Sequence, residues 1–227
     1  LYLEEGDGEN KIRTFIKENP TSLMVDHAKF VYSNYLFKSR KYRDALKTYN
    51  SINSANLNGT DRDECDFKKA YCYYQTQNIA KATPIFEKLA RTNNQYRADA
   101  TYYYAHILYI NGKQDKALEY FNSLKNNSKY KDIADIYILQ INFDKGNYNL
   151  LTEKGDDILQ KAHKNRKAEI ALMIAESWMR QGDYKKSLEY YDIMTKNSRR
   201  KIAREIEFNI GFCKMKNYGI DLRKHIN

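Results

Sequence analysis

An all-α solenoid of antiparallel helix pairs, wound as a right-handed superhelix, is the fold this sequence predicts, and three observations predict it. The first is a period. Ala45, Ala82 and Ala117 are each followed four residues later by an aromatic, Tyr49, Phe86 and Phe121, and Ser187 with Tyr191 repeats the pair. The second is a small residue twelve positions before each of these anchors: Ser33, Ala70, Ala105 and Ala175. Gly112 and Gly182 fall five residues ahead of theirs, and Gly146 keeps the same beat. Units of about 34 to 37 residues with helical spacing inside them are the mark of stacked helix pairs. The third is composition: two prolines and nine glycines in 227 residues argue against an all-β or disordered chain.

Taken in order, residues 1–20 read as the second half of a repeat. Ile12, Phe15 and Ile16 give that helix one apolar face, and Asn19-Pro20 ends it, because proline disfavours helical geometry in the residue before it. The first full unit is 26–52, two helices around the turn Ser39-Arg40-Lys41. A polar linker with the turn signal Asn58-Gly59 follows, and Asp61-Arg62-Asp63-Glu64 supplies carboxylates to the amino end of the next helix. The second unit is 63–90, where Pro84 falls early in a helix and is expected to bend it slightly. The third is 96–124. The fourth, 131–162, has Leu151 for the alanine anchor and Gly155 for the aromatic, so its second helix is expected to be weakly specified. The fifth, 168–195, is regular and holds the single tryptophan, Trp178. A partial unit, 202–227, closes the chain. It is too short to cover the apolar face of Ile202, Ile206 and Ile210, so self-association through that end is expected.

Mean hydropathy is −0.83, yet 42% of residues are hydrophobic and 21 are tyrosines, side chains that pack while keeping one polar end wet. The formal charge is +10, and residues 196–224 alone carry nine Lys or Arg against three acids. The first ten residues run the other way, with Glu4, Glu5, Asp7 and Glu9 and no base. Such polarity suits end-to-end contacts or an acidic partner at the C-terminal end. Cys65, Cys72 and Cys213 make no disulfide framework and read as small buried hydrophobes. The longest apolar run, Ile170 to Ala175, is far short of the ~20 residues a membrane span needs. The chain opens at Leu1 in mid-pattern, which reads as a mature product or a piece of something longer.

The stretch Ala105 to Gly112 continuing through Ala117-Leu118-Glu119-Tyr120-Phe121 resembles the tetratricopeptide repeat family. So does Ala175 to Trp178, followed by Gln181-Gly182-Asp183-Tyr184 and Leu188-Glu189-Tyr190-Tyr191. A narrower likeness rests on Phe67 to Tyr71, Tyr102 to His106 and Ala168 to Ala171. It is to large exported repeat proteins of Gram-negative envelopes, and implies a periplasmic or envelope location; a cytoplasmic one stays open.

In this family the first helix of each unit lines an inner, concave face. Carried over position by position, that face holds Phe30, Asn34 and Phe37 from the first unit and Phe67, Tyr71 and Tyr74 from the second. The third gives Tyr102, His106 and Tyr109, the fourth Gln140 and Phe143, and the fifth Glu176. The resemblance thus implies a non-catalytic scaffold that binds a protein or peptide segment in an aromatic groove, where tyrosine offers contact area at low entropic cost. Members that clamp a C-terminal carboxylate use lysine and asparagine there. Here Phe30 stands at the lysine place, which argues against a clamp.

Catalysis finds little support, and no cofactor is implied. His27, His106, His163 and His225 are scattered, no metal spacing occurs, and Gly6-Asp7-Gly8 is not a phosphate loop. Two alternatives to the scaffold reading remain. One is a structural element of a larger envelope protein. The other is a nucleic-acid binder using Ser198-Arg199-Arg200-Lys201, Arg204 and the earlier Lys161, Lys164, Arg166 and Lys167, although exposed aromatics do not interleave with these bases.

Overall fold

The computed structural model describes residues 7–198 and 201–219. Readings that fell on Glu4, Glu5, Gly6, Arg199, Arg200, His225 and the rest of the tail beyond Gly219 lie outside the described residues. Helices follow one another as α1 (Gly8–Glu18), α2 (Val25–Lys38), α3 (Tyr42–Asn50), α4 (Gly59–Gln75), α5 (Ile79–Arg91) and α6 (Arg97–Ile110). They continue as α7 (Gln114–Ser123), α8 (Lys131–Asp144), α9 (Tyr148–Lys161), α10 (Lys164–Arg180), α11 (Tyr184–Asn197) and α12 (Arg204–Asn217). A single 3₁₀ turn, Ser54–Asn56, interrupts the linker before α4, and the described residues contain no strand. The chain forms two compact units, residues 1–120 and 121–227.

The glycine beat of the sequence is a helix-ending device. Gly112, Gly146 and Gly182 all have positive φ, and Arg40 and Gln77 occupy the same place in the first two units with φ of 57° and 63°. Each sits just past a helix end and closes it with the same paired bonds: Gln77 N–H to the Tyr74 carbonyl and Asn78 N–H to the Tyr73 carbonyl, for example. That arrangement needs a left-handed residue, which only glycine adopts without penalty. The turn is therefore repeated even where the glycine is not.

In the first unit one core cluster, built from its first helices, is Phe30, Leu36, Ala45, Tyr49, Leu57, Cys65 and Cys72, and Phe86, Leu89 and Ile107 are buried further along. Ala45, Ala70, Ala82 and Ser33 are fully excluded from water, as the period requires of residues at helix crossings, where backbones approach closely. Ser33 satisfies its hydroxyl by donating to the Lys29 carbonyl at 2.7 Å. Burial pushes the Cys65 thiol up to about 11 and Cys72 up to about 12, so both stay protonated. Helix α4 starts earlier than the run of carboxylates suggested. Asn58 is its N-cap, the side chain accepting from the Asp61 N–H at 2.8 Å, so the Asn58-Gly59 turn signal is the helix start itself. Helix α5 runs through Pro84. Helix α1 buries no residue completely, and Phe15 of its expected apolar face is 36% exposed.

In the second unit one core joins α8 to α12, with Leu139, Leu151, Ile170, Ile174, Ala175, Tyr191 and Cys213 among its members. The fourth repeat corrects the sequence reading. Helix α9 is a full 14-residue helix, with Leu151, Gly155 and Leu159 buried along one side. Leucines fill both crossing positions that elsewhere hold small residues, Leu139 and Leu151, each with no exposed surface. The missing aromatic makes room for Ile174 of α10: a Cβ at Gly155 would lie 2.6 Å from Ile174 Cγ1. Volume has been redistributed between crossing and plug, and the packing is kept. The second correction concerns α12. Ile202, Ile206 and Ile210 pack against this core rather than standing uncovered, and the exposed apolar residue of that helix is Phe208, 72% accessible.

Candidate functional site

Helices α2, α4 and α6 carry the predicted groove residues of the first unit, and most of them meet in one connected aromatic network. Phe37 meets Tyr71 at 5.3 Å between ring centroids, and Tyr71 meets Tyr103 at 5.4 Å with the rings at 85°. Tyr74 and Tyr102 approach the same Tyr103 at 5.3 and 5.2 Å. All are edge-to-face contacts at distances where the quadrupoles of the rings attract. Tyr74 also pairs its hydroxyl with His106 Nδ1 at 3.0 Å. Burial lowers the His106 pKa, which keeps the imidazole neutral at neutral pH, and raises that of the Tyr74 phenol. Phe37, Tyr71, Tyr74, Tyr102, His106 and Tyr109 are all half-buried, packed on one side and accessible on the other.

Phe30 and Phe67 do not belong to this accessible set. Phe30 is 5% exposed and lies in the core, and Phe67 is 9% exposed, stacked on Tyr96 at 4.8 Å and edge-on to Phe86. Both pack between helices, so each acts as the buried floor of the face. Tyr103 is the residue the sequence reading passed over, and it is the hub, stacked on the fully buried Phe86 at 5.2 Å. Its signal was present in the run Tyr102-Tyr103-Tyr104, but periodicity alone assigns only one residue of such a run to a face.

Asn34 holds the polar end of the site. Its amide donates to Glu64 Oε1 at 3.0 Å, and its oxygen accepts from the Tyr49 hydroxyl at 2.6 Å and from Lys68 Nζ at 3.2 Å. Lys68 in turn pairs with Glu64 at 2.5 Å and lies over the Phe37 ring at 5.4 Å. An asparagine and a lysine do stand side by side here, yet the Glu64 carboxylate already occupies them. Burial, with that carboxylate beside it, pushes the Tyr96 phenol up to about 12. The face is thereby charge-balanced, with neutral phenols as its polar groups.

The remaining predicted residues lie in the second unit, each with contacts of its own. Gln140 donates to Asp144 at 2.9 Å, and Phe143 packs edge-on against Tyr148 and onto the core. Glu176 is half-buried, its carboxyl pKa raised by burial against the opposing pull of Arg180. Among the described residues there is no group of three or more His, Cys, Asp or Glu placed to hold a metal, and no helix long and apolar enough to cross a membrane.

Residues 67–131, which include most of this face, match the family model of the tetratricopeptide repeat. No curated protein matches the chain by sequence. Among solved structures, YrrB, described as a TPR protein with an unusual peptide-binding site, is similar with a TM-score of 0.62 at 15% identity, over 84% of this chain and 93% of that one. A tetratricopeptide repeat protein from Parabacteroides merdae gives 0.60 at 14% identity, over 96% and 83% of the two chains. PilF from Pseudomonas aeruginosa gives 0.57 at 12% identity, over 95% and 96%. The chain is an all-α helical-repeat protein. Within it, residues 67–131 match the tetratricopeptide repeat, a class whose members typically serve as protein–protein interaction scaffolds and are generally non-catalytic.

Proposed function

We propose that this chain is a non-catalytic scaffold that holds a largely apolar, uncharged stretch of a partner protein or peptide against the aromatic face of α2, α4 and α6. The observation that carries the reading is the connected, half-exposed set Phe37, Tyr71, Tyr74, Tyr102 and His106, which exceeds what packing within one repeat needs. Rings braced edge-to-face lose little further entropy when a ligand covers them, and phenols offer directional hydrogen bonds, a combination favoured at binding hot spots. Charge balance at Asn34, Glu64 and Lys68 sets the ligand class. A ligand carboxylate would have to displace Glu64, whereas an apolar segment displaces only water. The fold shared with YrrB, itself described as having a peptide-binding site, supports a backbone able to present such a face.

The test is selection from a random peptide library on the intact protein, followed by affinity measurement with Tyr71→Ala/Tyr102→Ala and with the milder Tyr102→Phe. Truncating a central aromatic is expected to cost about 2 kcal/mol or more of binding. If the double variant keeps its helical signal and binds the selected peptides as tightly as the parent, this face is not the binding site. Selected peptides rich in C-terminal carboxylates or acidic residues would overturn the ligand class.

A further inference from the structure

Away from the aromatic face, a cleft of about 610 Å³ opens between α1 and α3, with α2 beneath it. Its lining includes four cations, Arg13 and Lys17 from α1, Lys29 from α2 and Lys47 from α3, and no carboxylate. The acids bordering it are engaged. Glu9 accepts from the Tyr32 hydroxyl at 3.1 Å, Asp26 holds Lys29 at 3.3 Å, and Asp44 lies 3.7 Å from Lys47. Lys29 is accordingly a structural cation, also donating to the Ser51 carbonyl. Neither Arg13 nor Lys17 has a carboxylate partner among the described residues.

We infer that this cleft binds an extended acidic peptide segment, Arg13 and Lys17 pairing with successive carboxylates and Lys47, whose contact with Asp44 is long at 3.7 Å and solvent-exposed, closing from the opposite wall. Two like charges four residues apart on one helix repel and weaken it. A bound anion would relieve that repulsion. Spacing selects the ligand. Residues i and i+4 of a helix are about 6 Å apart along its axis, close to the ~6.6–6.8 Å between same-face side chains of an extended strand. A lone oxyanion would satisfy one cation and leave the other.

The probe is fluorescein-labelled hexaglutamate, followed by anisotropy on the whole chain at low and moderate salt. Arg13→Glu/Lys17→Glu is expected to lose at least about tenfold in affinity, a difference of about 1.4 kcal/mol. Lys47→Glu, on a different helix, is expected to lose affinity as well, which keeps the test sound if the first variant unfolds α1. Lys154→Glu/Lys185→Glu, exposed in the second unit and equal in charge change, should bind within about twofold of the parent. Equal loss in this control would reveal general attraction to a basic chain and overturn the assignment. So would the absence of parent binding, or displacement of the peptide by inorganic phosphate at similar concentration.

Discussion

Arg40 and Gln77 hold backbone angles that L-residues avoid, with φ of 57° and 63°, at exposed positions where three later units use glycine. The left-handed conformation costs a non-glycine residue about 1–2 kcal/mol, while glycine gives back part of that in unfolded-state entropy. Gln77→Gly and Arg40→Gly should therefore each stabilise the chain by a few tenths to about 1 kcal/mol, read as a higher urea midpoint with unchanged slope. Gly155 presents the opposite case. Its missing Cβ is filled by the almost fully buried Ile174, so Gly155→Ala should cost about 1–3 kcal/mol through overpacking. Pairing it with Ile174→Val should recover part of the loss in a double-mutant cycle; strict additivity would mean the two side chains do not compete for one space.

At the scale of elements, the linker between α3 and α4 is tied down by one buried carboxylate. Asp26, 6% exposed at the start of α2, accepts from Asn56 Nδ2 at 2.7 Å, the Asn53 N–H at 3.2 Å and Lys29. Burial alone would raise its pKa, but the hydrogen bonds from Asn56, Asn53 and Lys29 outweigh it, and the net shift is downward from 3.8. A carboxyl with a depressed folded-state pKa stabilises fully above its unfolded value and loses that contribution as pH falls through the folded value. The gap in melting temperature between parent and Asp26→Asn should thus be constant near neutrality and shrink only below about pH 3.8. A gap that narrowed between pH 5 and 7 would point to another group. The run Asn53 to Thr60 is recognisable in the sequence as a polar linker, but a charged residue 27 positions away as its tether is not. Nothing local distinguishes Asp26 from other acids opening a helix.

Across the molecule, protection from solvent is uneven. Helix α1 buries no residue completely and α12 buries only Cys213, whereas α10 buries six. Local opening free energies follow such packing. Hydrogen exchange should accordingly be fastest in α1 and α12 and slowest in α10, with α9 protected by its leucines. Exchange in α9 as fast as in α1 would contradict the packing around Gly155. A solenoid tolerates this gradient because each repeat is stabilised chiefly by its neighbours.

The sequence by itself determined the all-α repeat, its period, the small residues at crossings and the aromatic plugs, because each is a local rule repeated several times. It also placed Tyr71, Tyr74, Tyr102 and His106 on one face, since helical periodicity is read from spacing alone. Tertiary structure alone decided which aromatics turn inward. Phe30 and Phe67 share their register with Tyr102, yet they are buried beneath neighbouring helices, while Tyr102 stays half-exposed. It likewise decided that Ile174 replaces a missing plug, that Glu64 neutralises Lys68 beside Asn34, and that Arg13, Lys17 and Lys47 share one cleft. Each of these depends on distances between residues far apart in the chain, and periodicity within a single helix carries no information about them.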